Sequence, residues 1–422
     1  MPHKFHTILF AILTVTSSWL VEAADWPQYR GDLGDGVSSE SINQTDWKAK
    51  PPKVLWKTPT PMGFSSFAVT DGRAFTLVAR DVAGAEKREV CVALNADTGE
   101  ELWAVPFRES EYGHDGGNAG TRDNKGGDGP RSTPTVDGNL VYVYDSHLVL
   151  SCLNAGTGDV IWKHDIMAEY DGRQIKWLNA TSPVVVGDTV CVGGGGAGQT
   201  FLAFNKGNGE LAWKSGDDTI THATPRLANI AGTEQLIFFM KSGLVSLSPT
   251  DGSELWRTDF PFSVSTAASP VVAGNRVFCS AGYSVGSQVV EISEDQQAEK
   301  LWFKQNKLMN HWSTPVALDG HLYGIFEFKK YGHAPLQCVE IETGEIKWST
   351  RGFGPGNCIL VGDKLVVLSD AGEVVLVSAR PDEYEELGRI KAVDGKCWST
   401  PAFSNGRIYV RSTEEAACLV VD

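Results

Sequence analysis

Side chains with chemical potential recur at one kind of place in this sequence. Phe64, Arg131, Asn179, His222, Thr266, Trp312 beside His311, Asn357, and Trp398 close to Lys396 each stand a few residues ahead of a short apolar run. Imidazoles, a guanidinium, an ammonium and carboxamides can donate to or accept from a polar ligand, and aromatic rings can pack against it. Brought together, they would form a binding site for a small molecule, a peptide or a glycan. No H-E-x-x-H or paired-His spacing offers a metal site.

Three local motifs imitate catalytic signatures. The stretch GGGGAGQT, from Gly193 to Thr200, has the spacing of a phosphate-binding loop. Gln199 stands where that loop needs a lysine, and the following FLAFN reads as a strand instead of a helix. GYSVG, from Gly282 to Gly286, matches a nucleophile elbow, but the elbow works at a strand-to-helix turn, and here VVEI follows as a strand. Asp32-Leu33-Gly34-Asp35-Gly36 lacks the ligand series of a calcium loop.

The elements that must position the first group are repeats. An apolar run, a turn of the Asx-Thr-Gly kind and a Trp recur at Trp103, Trp162, Trp213, Trp256 and Trp348, with a degraded copy at Trp302. From Trp56 the Trp spacings are 47, 59, 51, 43, 46 and 46. In a further copy, Val375 to Ile390, Gly388 stands where the Trp is due. Upstream of each Trp lies a second phrase, Ser-Thr-Pro-like, as at Ser132-Thr133-Pro134 and Ser399-Thr400-Pro401. Each unit reads as four strands joined by Gly turns, which is one propeller blade.

The last unit, from Cys397, stops before its Trp strand. The segment Lys53-Val54-Leu55-Trp56-Lys57 supplies the missing strand from the other end. The prediction is an all-β chain: a single eight-bladed β-propeller of four-stranded antiparallel blades, spanning 53–422, with blade 8 made from 397–422 plus 53–59. Such closure removes free sheet edges and predicts a monomer. The Trp residues on the outer strands read as packing between blades. The loops opposite the short Gly turns vary most, the longest being Phe107 to Arg131, followed by Ile166 to Ala180.

The formal net charge is −15, which argues against nucleic acid or an anionic lipid surface as the main partner. His3, Lys4 and His6 precede an apolar run from Ile8 to Leu20, and Val21-Glu22-Ala23 has the small-residue spacing of a signal-peptidase site. Residues 1–23 therefore read as a cleaved signal peptide and 24–52 as an N-terminal extension. The expected location is the periplasm or the exterior, with no transmembrane or lipid anchor, since the first Cys is Cys91. The eight Cys lie mostly in apolar strand-like runs, without C-x-x-C, and read as buried free thiols.

The A/L-x-A-x-T-G-x-x-x-W repeat resembles the pyrroloquinoline-quinone-like (PQQ-like) β-propeller family. That family includes quinoprotein dehydrogenases and the outer-membrane assembly factor BamB. DWPQYRGDLGDGVS, from Asp25 to Ser38, and the stretch Arg351 to Ile390 are similar to an exported bacterial, BamB-like branch. The resemblance implies an exported, non-catalytic binding or scaffold propeller. It would recognise an envelope or extracellular protein, peptide or glycan through the loop face around the channel, without a cofactor.

The alternative the resemblance implies is a PQQ-dependent dehydrogenase acting on alcohols or sugars. That would need a quinone stacked on a Trp such as Trp398, and calcium held by carboxylate and amide oxygens. The carboxylates would come from Asp115, Asp123, Asp128 or Glu169. The adjacent-Cys disulfide and the haem-attachment motif found with many such enzymes are absent from the sequence.

Overall fold

The computed structural model describes Met1 and residues 24–110, 129–326 and 334–421. Apart from Met1, the segment read as a signal peptide lies outside them, as do Asp115, Asp123 and Asp128. The described chain is almost entirely β, with one helical turn at Ile166–Glu169. Its strands form eight sheets arranged as the repeats predict.

Blade 1 shows the common plan, from the channel outward: Ala68–Thr70, Arg73–Val82, Ala85–Asn95 and Glu101–Glu109. Blades 2 to 6 repeat it with outer strands at Val160–Asp165, Leu211–Ser215, Glu254–Asp259, Ala298–Gln305 and Ile346–Thr350. Blade 7 begins at Asn357–Val361 and ends at Glu386–Lys391. In blade 8 the outer strand is Lys53–Pro59, antiparallel to Glu415–Val420. The ring is thus closed by residues from both ends of the propeller sequence. Arg411 fastens the joint: buried, its guanidinium donates to the Thr76 hydroxyl and to the Leu77 and Thr60 carbonyls of blade 1 and its approach.

The repeated residues hold neighbouring blades together. Trp56, Trp103, Trp162, Trp213, Trp302 and Trp348 each donate from Nε1 to a carbonyl in the turn of the next blade. The acceptors are Ala96, Ala155, Lys206, Pro249, Ile341 and Arg380, at 2.8–3.2 Å. Except at Trp348, whose acceptor turn has no glycine, the indole lies over that turn's glycine. A Cβ on Gly99 would fall 2.7 Å from the Trp56 ring, and one on Gly252 2.4 Å from that of Trp213. Trp256 departs from the rule because the next turn, Glu294-Asp295-Gln296, is the degraded copy. It donates to Gln235 Oε1 instead, and Gln235 Nε2 passes the link to Gln296 Oε1 at 2.9 Å.

The Ser-Thr-Pro phrase is a second belt, near the channel. At five junctions its central residue accepts from the backbone N–H of the preceding blade's central residue. Thr133 accepts from Ser66, Ser182 from Thr133, Thr224 from Ser182, Thr314 from Ser269, and Ser66 from Thr400, all at 2.8–3.0 Å. These residues are buried, so each contact satisfies an amide that water cannot reach.

The segment 24–52, read from sequence as an extension, is built into the ring. Trp26 bridges Val69 of blade 1, and the Pro27 carbonyl accepts from Val136 of blade 2. Arg30, 1% exposed, donates to the Thr314 and Pro315 carbonyls of blade 6 at 2.8 and 2.9 Å. Val37–Ser38 adds a parallel strand to the inner edge of blade 7. Glu40 accepts from the Asn405 and Gly406 amides in the first turn of blade 8. A segment that touches inner strands of blades 1, 2, 6 and 7 lies across the channel. All eight Cys are buried and unbridged, and burial pushes their thiols up, to about 11 at Cys338.

Candidate binding site at the channel mouth

On the face opposite the short Gly turns, the channel opens into a cavity of about 190 Å³. Of the residues singled out from sequence, Phe64, Arg131, His222, His311, Trp312 and Trp398 line it. They converge because each immediately precedes, or stands close before, the innermost strand of its blade. Three large contributors stand outside that group. Trp177 comes from the long loop of blade 2, Tyr283 from the hairpin that imitates a nucleophile elbow, and Tyr29 from the segment crossing the channel. Tyr29 also lines a smaller pocket beneath, so it stands between the cup and the closed channel below.

Asn179, Asn357, Lys396 and Thr266 are not in the lining. Asn179 is buried and braces its own loop, donating to the Asp145 carbonyl and accepting from Thr181 N. Asn357 donates to the Trp398 carbonyl at 2.8 Å. It positions that residue from behind. Lys396 is paired with Asp370 at 3.1 Å, both side chains largely buried. A polar side chain at a crowded loop end meets the nearest unsatisfied backbone group or opposite charge before it meets the channel. Of the guanidinium and ammonium that the sequence offered, Arg131 is in the lining and Lys396 is not. Thr266 contributes its carbonyl, which accepts from His222 N.

The wall is a continuous aromatic series. Arg131 lies over Phe64 at 5.7 Å. Phe64 stacks on Trp398 (4.8 Å between centroids, 23°), and Trp398 on Trp312 (4.2 Å, 29°). His311 packs on Trp312 at 4.9 Å, and Tyr283 meets His311 edge-on at 5.0 Å. Across the cup, Trp177 meets His222. Trp312 is fixed by donating to the Pro355 carbonyl at 2.8 Å, and Arg131 by donating to the Trp177 carbonyl at 3.2 Å.

Both imidazoles are neutral at neutral pH. Burial, then the nearby Arg131 charge, lowers His222 to about 4. Burial, then His222, lowers His311 to about 3. His222 Nε2 faces the Lys176 carbonyl at 2.8 Å, so Nε2 carries the proton and Nδ1 is left as an acceptor. The lining holds no Asp or Glu among the described residues.

The model of the family described as "Outer membrane protein assembly factor BamB" matches residues 86–350. The chain belongs to the BamB family of PQQ-like repeat propellers. Among solved structures, BamB from Moraxella catarrhalis has a TM-score of 0.59 at 13% identity, covering 87% of this chain and 97% of that one. Quinohemoprotein alcohol dehydrogenase from Comamonas testosteroni has a TM-score of 0.68 at 13% identity, covering 94% and 80%. At such identities the likeness is one of fold. A curated relative, tetrathionate hydrolase from Acidithiobacillus ferrooxidans, is 24% identical over 284 residues, or 65% of this chain. The BamB-family chain spans about half the length of that relative (49%).

Of the groups named for a quinone and calcium site, Trp398 and Glu169 are among the described residues. Trp398 is stacked on by both Phe64 and Trp312. Glu169 is engaged elsewhere, with His164 Nδ1 and Asp165 N. No group of three or more His, Cys, Asp or Glu side chains gathers to hold a metal among the described residues.

Proposed function

We propose that this BamB-family chain is an exported, non-catalytic recognition propeller whose cup binds an envelope or extracellular protein partner. One observation carries the reading: among the described residues, the cup walls are aromatic rings, hydroxyls and neutral imidazoles, with one guanidinium and no lining carboxylate. Such a surface recognises and orients a ligand, and among the described residues it presents no acid–base pair poised to transfer a proton at neutral pH. A rigid ring supporting a few aromatic anchors is the arrangement expected of a binding hot spot. The hydrolase named among the relatives is a much longer protein, and its activity is not part of this reading.

The test is capture from an envelope extract by the immobilised chain, compared with Trp398→Ala. That change removes the ring between Phe64 and Trp312 while leaving the blade-to-blade contacts in place. Loss of the captured partner in the variant supports the reading. Capture unaffected by Trp398→Ala overturns it. Titration with calcium and pyrroloquinoline quinone, followed by absorbance and dye reduction with alcohols or sugars, tests the dehydrogenase alternative directly.

A further inference from the structure

The belt of hydroxyls around the channel breaks between blades 4 and 5. The sequence supplies both partners there, in Ala223-Thr224-Pro225 and Ala268-Ser269-Pro270. Yet Ser269 Oγ is buried without a hydrogen-bond partner, and the Thr224 amide that should donate to it has none either among the described residues. Ser269 N keeps its own bond onward to Thr314 Oγ1 at 3.0 Å. A donor and an acceptor that belong together are held apart, which leaves room for a third atom.

A cavity of about 10 Å³ lies at this break. Thr224 and Ser269 line it from the blades, and Tyr29, Leu33 and Gly34 from the segment that crosses the channel. Leu33 is 64% exposed, so the cavity lies beside solvent. Its size admits one water-sized particle and no polyatomic ligand.

The buried charges beside it do not balance. Arg30 and Arg226 are both buried, and Asp35 is the carboxylate that opposes them among the described residues. Arg226 Nη2 meets Asp35 Oδ2 at a loose 3.5 Å, while Asp35 Oδ1 accepts from Val37 N. Arg30 keeps a buried Nε with no partner. A Cβ on Gly34 would lie 3.8 Å from Arg226 Nη1, so this guanidinium stands close behind the cavity wall. Two guanidiniums against one carboxylate leave an excess positive charge out of water, which a bound water does not offset and an anion does.

We propose that this cavity is a halide site that takes a single chloride ion between the channel-crossing segment and blades 4 and 5. Ser269 Oγ and the Thr224 amide would donate to the ion, and Arg226 would supply the opposite charge. Tyr29 lines both this cavity and the cup, so the ion would also pin the floor of the cup.

The experiment follows thermal unfolding of the full chain in chloride, bromide and gluconate at matched ionic strength, and anomalous scattering from crystals soaked in bromide. Chloride and bromide should raise the melting temperature with saturation, as binding to the folded state does, and gluconate, too large to enter, should not. A bromide peak is expected between Ser269 and Gly34. Ser269→Ala leaves the belt intact, since Ser269 gives it only an amide, and should weaken halide binding at least about tenfold. Ser313→Ala removes another buried hydroxyl without a partner, outside the cavity, and should leave the halide dependence unchanged. Asp35→Asn removes the opposing carboxylate and should tighten halide binding severalfold.

Halide and gluconate profiles that coincide mean that water alone sits there, and they overturn the proposal. A bromide peak elsewhere only, or none, also overturns it. So does a halide dependence that survives Ser269→Ala, or that is lost equally in Ser313→Ala, or an affinity that fails to rise in Asp35→Asn. If Ser269→Ala does not fold, the bromide peak and the direction of the Asp35→Asn change decide.

Discussion

Trp47 sits against Gly388, in the register position where the neighbouring blades carry a tryptophan of their own. Gly388 pairs with Leu376 as Trp348 pairs with Cys338 one blade earlier. A Cβ on Gly388 would lie 2.6 Å from the Trp47 Cβ. Trp47 is 2% exposed and shares a core cluster with Ile359 and Leu368 of blade 7 and Phe403 of blade 8. The N-terminal segment therefore supplies from outside the indole that blade 7 lacks.

Trp47→Ala should destabilise the fold by about 3–5 kcal/mol, the usual range for deleting a buried aromatic side chain. Gly388→Ala should also destabilise the wild-type chain, and should cost less in a Trp47→Gly background, where the contact with the Trp47 Cβ is removed and those with the Trp47 and Lys48 backbone, at 2.9 and 3.0 Å, remain. Urea denaturation of the two single variants and the double variant checks the coupling. Strict additivity would mean the two positions do not share the site.

Arg30 predicts the fate of the channel-crossing segment. Its guanidinium donates to the Thr314 and Pro315 carbonyls in buried hydrogen bonds, and to the Asp35 carbonyl in a partly buried one. Arg30→Met should leave them unsatisfied, at about 1–3 kcal/mol for each such group. Limited proteolysis is expected to clip the variant within 24–52 well before the blades. Equal protection of variant and wild type would show that Arg30 does not anchor the segment.

Two buried groups tilt stability in opposite directions with pH. His222 falls from the ordinary 6.5 to about 4, chiefly through burial and then through Arg131. Above pH 6.5 it is neutral in both states. As pH falls below that, the unfolded chain takes the proton first, so stability is lost down to about 4.

Asp145 is raised above its ordinary 3.8 by burial and then by Glu89. There the folded state holds the proton, and stability declines as pH rises from 3.8. His222→Gln should therefore remove the acid-side loss, and Asp145→Asn should steepen it. Denaturation midpoints between about pH 4 and 7 would expose the two slopes. Identical profiles for all three chains would contradict the assignment.

The thiols give a simpler expectation. All eight are buried and unbridged, and their acidity is suppressed by burial, to about 12 at Cys152, Cys191 and Cys358. A maleimide should label none in the native chain, and all eight after denaturation without reductant. Mass spectrometry reads the count, and any native labelling or missing thiol contradicts it.

The ring was legible in the sequence because its determinants are local and repeated. Alternation of strand residues, a turn and a Trp recur within each unit, and the unpaired halves at Lys53–Pro59 and Glu415–Val420 imply one another. The mouth was half legible. Position before an inner strand located Phe64, Arg131, His222, His311, Trp312 and Trp398. It could not tell which way Asn179, Asn357 and Lys396 turn, since that depends on partners such as Asp370 in another loop.

The channel-crossing segment was not legible in its path. Its contacts, such as Arg30 with Thr314, span 284 positions and carry no period. Tyr29, Trp47 and the floor of the cup went unseen for the same reason. The signal that could have found Trp47 was the gap at Gly388, because a missing residue in a strict repeat asks for a substitute.

The joint of blade 8 sets an order in time. Lys53–Pro59 is synthesised long before Glu415–Val420, its partner. Throughout that interval the early strand has no sheet to join, and Trp56 has no strand at its side. Closing so large a loop is the slow, late event in folding. A growing chain must therefore carry an open arc of blades with two exposed edges until its final strand arrives, and it is then that a holding factor would matter most.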